Sequence, residues 1–376
     1  MENLAKLVYD SFFSFLATYQ SSNLNPKLQY STKVVDDTLK SKYIDNAIFK
    51  YAQTNLKDVC MASSKVASLH VNIEIYHNNN LHEPYFINFL VFYTNLLVYI
   101  LNKQKPQDAL KQLDIYLLLT PFKKEFPQNA IEMGAMLIPF HINSGLTTKY
   151  LHDDTKAEVI VFREEEVCKV LLHELIHAMK LDCGCMNMDE SHIIDLFKFP
   201  PGTNLKLNES YTDFLTCFIN VCIYSCIHTR LLQGSYKLYK KTYKKLLEYE
   251  SIYIVCKSCD VLSYCGFTVM NNALVCPEEG YKEQTHVFSY YIIKAILFCD
   301  TAKFLNYMES NNFVLKDYAA YVVSLYETRK YINTVKELWQ KEILPTNLRK
   351  SLRMSNIDMI YFIKSQKDKL LKTLLR

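Results

Sequence analysis

A chain of 376 residues with 49% hydrophobic and 22% charged side chains has ample apolar material for a large core, which excludes a disordered or collagen-like polypeptide. A formal net charge of only +4 excludes bulk electrostatics as a reason to bind nucleic acid. With 7 Gly and 10 Pro and no Gly/Ser-rich or Pro-rich tract, the composition points to a compact, mostly helical protein. The weight of Tyr (28), Phe, Lys, Asn and Ile is what an AT-rich genome produces, which suggests a large DNA virus or a parasite as the source.

The start, Met1-Glu2-Asn3-Leu4-Ala5-Lys6, lacks the apolar h-region and small-residue cleavage site of a secretory signal. The expectation is an intracellular protein, in host cytoplasm or virion if viral. Its 12 cysteines are then expected as thiols rather than disulfides. From the N-terminus to about Glu125 the pattern reads as helical: Leu4, Leu7, Val8 and Phe12 recur at helix spacing, and so do Ala109, Leu110, Leu113 and Tyr116. Between them, the stretch from Tyr85 to Leu101 is strongly apolar but short for a bilayer, and it carries Asn88, Thr94 and Asn95. It therefore reads as a buried helix and not a membrane span.

The character changes near Ala135. Ala135 to Ile142 and Ala157 to Phe162 are short, apolar and β-prone, and are expected to be two strands of a small sheet. A helical stretch from Glu164 to Lys180 follows, opened by Glu164-Glu165-Glu166, acids suited to a helix N-terminus. After a turn-rich segment (Gly184, Pro200, Pro201, Gly202), a second long helix is expected from Asn208 to about Leu232. Gly234-Ser235 breaks it ahead of a helix over Tyr236 to Glu250. Apolar periodicity continues from Val287 to Phe298 and from Tyr318 to Leu325. The predicted fold class is α+β, mainly helical, in three regions: residues 1–130, 131–235 with the small sheet, and a helical C-terminal lobe at 236–376.

Within the stretch after the sheet stands His173-Glu174-Leu175-Ile176-His177, an HExxH run. Histidines four apart on a helix point the same way and can bind one metal ion, and the adjacent glutamate can reach a water held there. Such a run arises by chance about once per hundred chains of this size, so it needs a third ligand elsewhere. Cys183, Asp182, Asp189, Glu190 and His192 are near in sequence. A more distant candidate is Glu209, which opens an otherwise apolar helix (Phe214, Leu215, Phe218, Ile219), where a buried carboxylate needs a partner. A glycine at 180 and a histidine at 183 would mark a metzincin; Lys180 and Cys183 stand there instead.

Asn208-Glu209-Ser210-Tyr211-Thr212-Asp213, well downstream of the HExxH run, resembles the N-E-x-x-x-D pattern of the gluzincin (thermolysin-like) zinc metallopeptidases. The resemblance covers about a quarter of the chain. It implies a zincin-like catalytic core at 131–235, Glu209 as third Zn2+ ligand and Asp213 as the hydrogen-bond partner of His173. It also implies hydrolysis of a polypeptide substrate by a zinc-bound water that Glu174 activates. The donor to the developing oxyanion would come from the C-terminal lobe, where His286 and Tyr290 share a helix face. The substrate would pair with an edge strand, either Ile142 to Thr148 or Ala157 to Phe162. If the source is a large DNA virus, processing of viral structural proteins is the natural role. The rival expectation is an inactive, architectural member of the fold serving as a binding or virion component.

Two features have plainer readings. Cys256, Cys259, Cys265 and Cys276 could hold a second zinc, but their spacing fits no common knuckle, so partly buried thiols are expected. Lys237, Lys240, Lys241, Lys244 and Lys245 form one basic helix face, and the segment from Thr346 to Arg376 carries eight Lys/Arg against two Asp. A solvated surface explains both, and nucleic acid is not an expected partner.

Overall fold

The computed structural model describes residues 2–19, 26–104, 110–127, 136–150, 153–182, 188–200, 202–277, 280–311, 313–315, 317–339, 341, 343–366 and 369–375. Its framework is a six-stranded mixed sheet in the order β1-β2-β3-β4-β6-β5. The strands are β1 (Gln29–Thr32), β2 (Asp58–Val66), β3 (Leu69–His77), β4 (Gln112–Leu118), β5 (Gly145–Tyr150) and β6 (Asp153–Val161). β3, β4 and β6 run parallel, while β1–β2, β2–β3 and β5–β6 are antiparallel, which leaves β1 and β5 as the two edges.

Alternation decides the faces. Val71, Ile73 and Ile75 of β3, Leu113, Ile115 and Leu117 of β4, and Ala157, Val159 and Val161 of β6 point into the main core. That face is covered by α3 (Pro84–Gln104) and α5 (Val167–Ala178), with α1 (Glu2–Tyr19) packed against α3. The opposite face is covered at one end by α2 (Asn46–Asn55), whose Ile48, Phe49 and Ala52 meet Val59, Tyr76, Leu118 and Ile160. Helices α7 (Leu207–Leu231) and α8 (Tyr236–Tyr264) extend the main core into the C-terminal region, together with α9 (Phe288–Phe298), α10 (Thr301–Ser310), α11 (Tyr318–Glu327) and α12 (Lys330–Trp339). A minor hairpin, β7 (Thr268–Met270) with β8 (Ala273–Val275), lies between α8 and α9. Short helices α4 (Pro139–Ile142), α6 (Ser191–Phe197), α13 (Thr346–Lys350), α14 (Met359–Gln366) and α15 (Lys369–Leu374) complete the order.

The fold is α+β with a helical C-terminal region, and the sheet is larger than the two strands expected. The helical reading of the first part of the chain fails in its middle. Leu113 and Tyr116 belong to β4, where Leu113, Ile115 and Leu117 alternate with Gln112, Asp114 and Tyr116 (Ala109 lies outside the described residues). Period two outweighed the sparse helical matches. Of the strand expected at Ala135 to Ile142, Ala135 lies outside the described residues, and the second half is a single helical turn from Pro139, whose fixed φ starts helices. The strand preceding β6 is β5, and α8 runs on past Glu250 to Tyr264.

Two helices, α3 and α7, are long and apolar enough to cross a membrane, and in each 78% of the most apolar window is buried within the molecule. On the basic face of α8, Lys240 and Lys244 bond Glu2 at the start of α1.

Candidate metal centre

α5 and α7 pack side by side and bring the two halves of the motif together. His173 Nε2 lies 3.0 Å from His177 Nε2 and 3.2 Å from Glu209 Oε2, and His177 Nε2 lies 3.3 Å from the same oxygen. An ion bound at about 2.0–2.1 Å in tetrahedral geometry sets its ligands about 3.3 Å apart. Among the described residues, His173, His177 and Glu209 form the group of three or more potential ligands whose atoms converge.

The donor chemistry fits a cation. His173 Nδ1 lies 3.2 Å from Asp213 Oδ1, and His177 Nδ1 lies 2.6 Å from Asp182 Oδ2. An ionised carboxylate only accepts, so each ring carries its proton on Nδ1 and turns the Nε2 lone pair toward the other ring. Two lone pairs and a carboxylate oxygen facing one another at these distances repel unless a proton on one ring or a bound cation lies between them. Burial opposes charge on both imidazoles, yet hydrogen bonds and the charges of Glu209, Asp213 and Asp182 outweigh it and raise both pKa values. Burial would likewise raise Glu209, but His177 and His173 hold it well below the usual carboxylate range.

Glu174 sits beside this triangle. Thr147 Oγ1 on β5 donates to its Oε2 (2.8 Å) and to its backbone oxygen (2.9 Å). Burial pushes the Glu174 carboxyl up, although the two imidazoles pull the other way. β5 comes this close because residue 145 is glycine: a Cβ there would stand 2.8 Å from Glu174 Cγ and Oε1 and from Val170 Cγ1. Gly145→Ala therefore must displace either the edge strand or the glutamate. Overpacking a closed site typically costs about 1–3 kcal/mol, so the melting temperature of Gly145→Ala should fall measurably; a melting temperature equal to that of the wild type would refute this role for Gly145.

Asp213 does more than orient His173. Lys169 of α5 and Lys294 of α9 both contact its carboxylate, Lys294 at 2.5 Å, and all three side chains are buried. Burial opposes ionisation of Asp213, but the two ammonium groups hold it well below its ordinary pKa. Lys294 lies four residues after Tyr290, as Asp213 lies four after Glu209, and Tyr290 OH donates to Glu209 Oε2 at 3.0 Å. The first half of α9 (Phe288–Ile293) is a π-helix, so Tyr290 does not sit on a regular α-helical face as expected. His286 precedes the helix in a left-handed conformation (φ 50°) and bonds the backbone of Asn204, while its buried Nδ1 has no partner among the described residues. Tyr290 bonds a member of the triangle, whereas His286, although close enough for the Glu209 charge to act on it, bonds the backbone of Asn204.

Glu283 accepts from Phe288 N (2.8 Å) and Tyr281 OH (2.7 Å) and so caps α9. Burial raises its carboxyl to about 7. The folded pKa exceeds the unfolded one, so this stabilisation is full below about 4.5 and is lost as pH rises through about 7. Unfolding free energy should fall between pH 5 and 8, and Glu283→Gln should flatten that slope; an unchanged slope would contradict the assignment.

The acidic run before α5 is not a solvated helix start. Glu164 meets His82 and Lys364, Glu165 accepts from Lys124 N, and Glu166 (φ 59°) contacts Lys124 and caps the backbone of Met354 and Ser355. Of the other candidate ligands, Asp182 is the partner of His177, Cys183 lies outside the described residues, and Glu190 accepts from the backbone of Leu205 and Leu207 ahead of α7. Asp189 bonds Ser191 N, and His192 lies on the exposed side of α6. Among the described residues, Cys256 and Cys259 are buried on α8 and form no such group with Cys265 and Cys276. Thr147, Gly145, Lys169, Lys294 and Met354 were not anticipated. A lysine on an otherwise apolar stretch, as at 169 and 294, was the available signal, since a buried ammonium needs an anion.

Against known proteins, the chain is 26% identical over 128 residues to an uncharacterized protein of Acanthamoeba polyphaga mimivirus. The match covers 34% of this chain and 30% of that relative, so less than a third of the relative's length is spanned. No family model and no solved structure matches.

Proposed function

We propose that the protein is a zinc-dependent endopeptidase of the gluzincin type. The observation that carries this reading is the triangle of His173, His177 and Glu209 at 3.0–3.3 Å with Glu174 held alongside by Thr147. Zinc held there would act as a Lewis acid and make a nearby water acidic enough to lose a proton near neutral pH. Glu174 has the chemistry of the base: a buried carboxylate with a raised pKa takes a proton on its free oxygen and gives it to the leaving nitrogen. Thr147 keeps it aimed. Tyr290 keeps its proton, because burial raises the phenol well above its ordinary pKa; it would serve as donor to a developing oxyanion by turning that proton away from Glu209 Oε2, which accepts it in the resting site.

An extended peptide would add to β5, an edge strand that carries Thr147 past Glu174. β6, the other edge expected from sequence, is paired on both sides. The partial likeness to a mimivirus protein supports a viral setting, and the natural substrates would be the virus's structural proteins, met in the infected cytoplasm or the virion.

The test is to incubate zinc-loaded protein with a denatured protein mixture and read new N-termini by mass spectrometry. Cleavage that a chelator abolishes and zinc restores is expected. Zinc binding at the site without new termini would favour the architectural alternative.

A further inference from the structure

A small cavity opens directly beside Glu174 and His173, with a volume of about 40 Å³. One wall is α5, through Lys169 and Val170; a second is the approach to β5, through Ile142 and Gly145. A third is Met354, which arrives from the C-terminal part of the chain, far from Glu174 in sequence. Because this cavity adjoins the group assigned as the base, the side chain next to a scissile bond would enter it. A water needs roughly 10–15 Å³ of such volume, so the cavity holds a group the size of a few waters, a methyl or hydroxymethyl but not an aromatic ring.

The main chain of Met354 is fixed, and its Sδ accepts from Lys169 Nζ at 3.6 Å. Its backbone N–H donates to Glu166 (3.1 Å to Oε1) and its carbonyl accepts from Lys294 Nζ (3.0 Å). On either side of it, Leu352 O accepts from Tyr291 OH (2.6 Å), Arg353 O from Tyr253 OH (3.1 Å), and Asn356 N donates to Glu250 (2.8 Å). Residues 352–356 thus form a strap whose backbone is gripped by buried side chains of α8, α9 and the residue that opens α5. The cavity's ammonium groups are already matched: Lys169 contacts Asp213 and Lys124 contacts Glu166. An acidic side chain entering it would lose hydration and meet the Glu174 carboxylate with no unpaired ammonium to balance it.

We propose that Met354, held by this strap, is the specificity-determining wall of the site and restricts the residue beside the scissile bond to small side chains. The proposal rests on the peptidase reading. It can be tested by calorimetry on zinc-loaded protein with three succinyl hydroxamates that differ only in the side chain next to the metal-binding group: methyl, isobutyl or benzyl. The methyl compound should bind at least tenfold more tightly than the benzyl one. Met354→Ala should raise benzyl affinity at least tenfold with little change for methyl, and Met354→Leu should keep the wild-type order. Equal or tighter binding of the benzyl compound to the wild type would overturn the proposal whether or not Met354→Ala folds, as would an unchanged order in a folded Met354→Ala protein. Failure of all three compounds to bind would instead remove the accessible metal site, and with it the peptidase reading on which the proposal stands.

Discussion

Replacing Glu174 by Gln should leave the zinc content unchanged and lower peptide hydrolysis by about 10²–10⁴-fold, the range a positioned general base supplies. Glu174 stands outside the ligand triangle; its hydrogen-bond partner is Thr147, and an amide can still accept from that hydroxyl. What the amide cannot do is hold a proton between attack and departure of the nitrogen. Zinc analysis by mass spectrometry and turnover of a fluorogenic peptide separate the two effects. Loss of zinc together with activity would mean that residue 174 shapes the metal site. Retained activity would remove it from the chemistry.

Asp213→Ala should be the most damaging single change. It strips the shared anion from Lys169 and Lys294 and the orienting acceptor from His173 in one step. Breaking a buried ion pair by removing one partner costs about 3–5 kcal/mol, and here two ammonium groups are left behind. Losing an outer partner of a metal-bound histidine weakens metal affinity by about 10–100-fold. Urea unfolding of the chelated and zinc-loaded forms reads both, since bound metal adds stability only to the folded state. Asp213→Asn should recover part of the hydrogen bonding but not the charge balance. A melting curve for Asp213→Ala matching the wild type would show that the lysines are satisfied by other groups.

The site was legible in the sequence where chemistry and helical spacing coincide. His173 and His177 share a face of α5, and Glu209 and Asp213 share a face of α7; both helices followed from apolar periodicity. Tyr290 came from the resemblance and bonds Glu209, whereas its neighbour His286 bonds the backbone of Asn204, because a left-handed residue and a π-helical turn break the assumed spacing. The sheet was under-read. β3 carries an alternation, Leu69, Val71, Ile73 and Ile75 against His70, Asn72 and Glu74, that helix-minded matching passed over. The strap at Met354 left no trace in local pattern: its backbone is satisfied by side chains from distant helices, and no periodicity records such contacts.

The arrangement at the centre is tested most directly by diffraction from zinc-loaded crystals at the zinc absorption edge. One anomalous peak is expected within about 2.0–2.2 Å of His173 Nε2, His177 Nε2 and a Glu209 carboxylate oxygen, with the fourth position facing Glu174 and solvent. A peak at the cysteines of α8, or one closed off by a fourth protein ligand, would contradict the account.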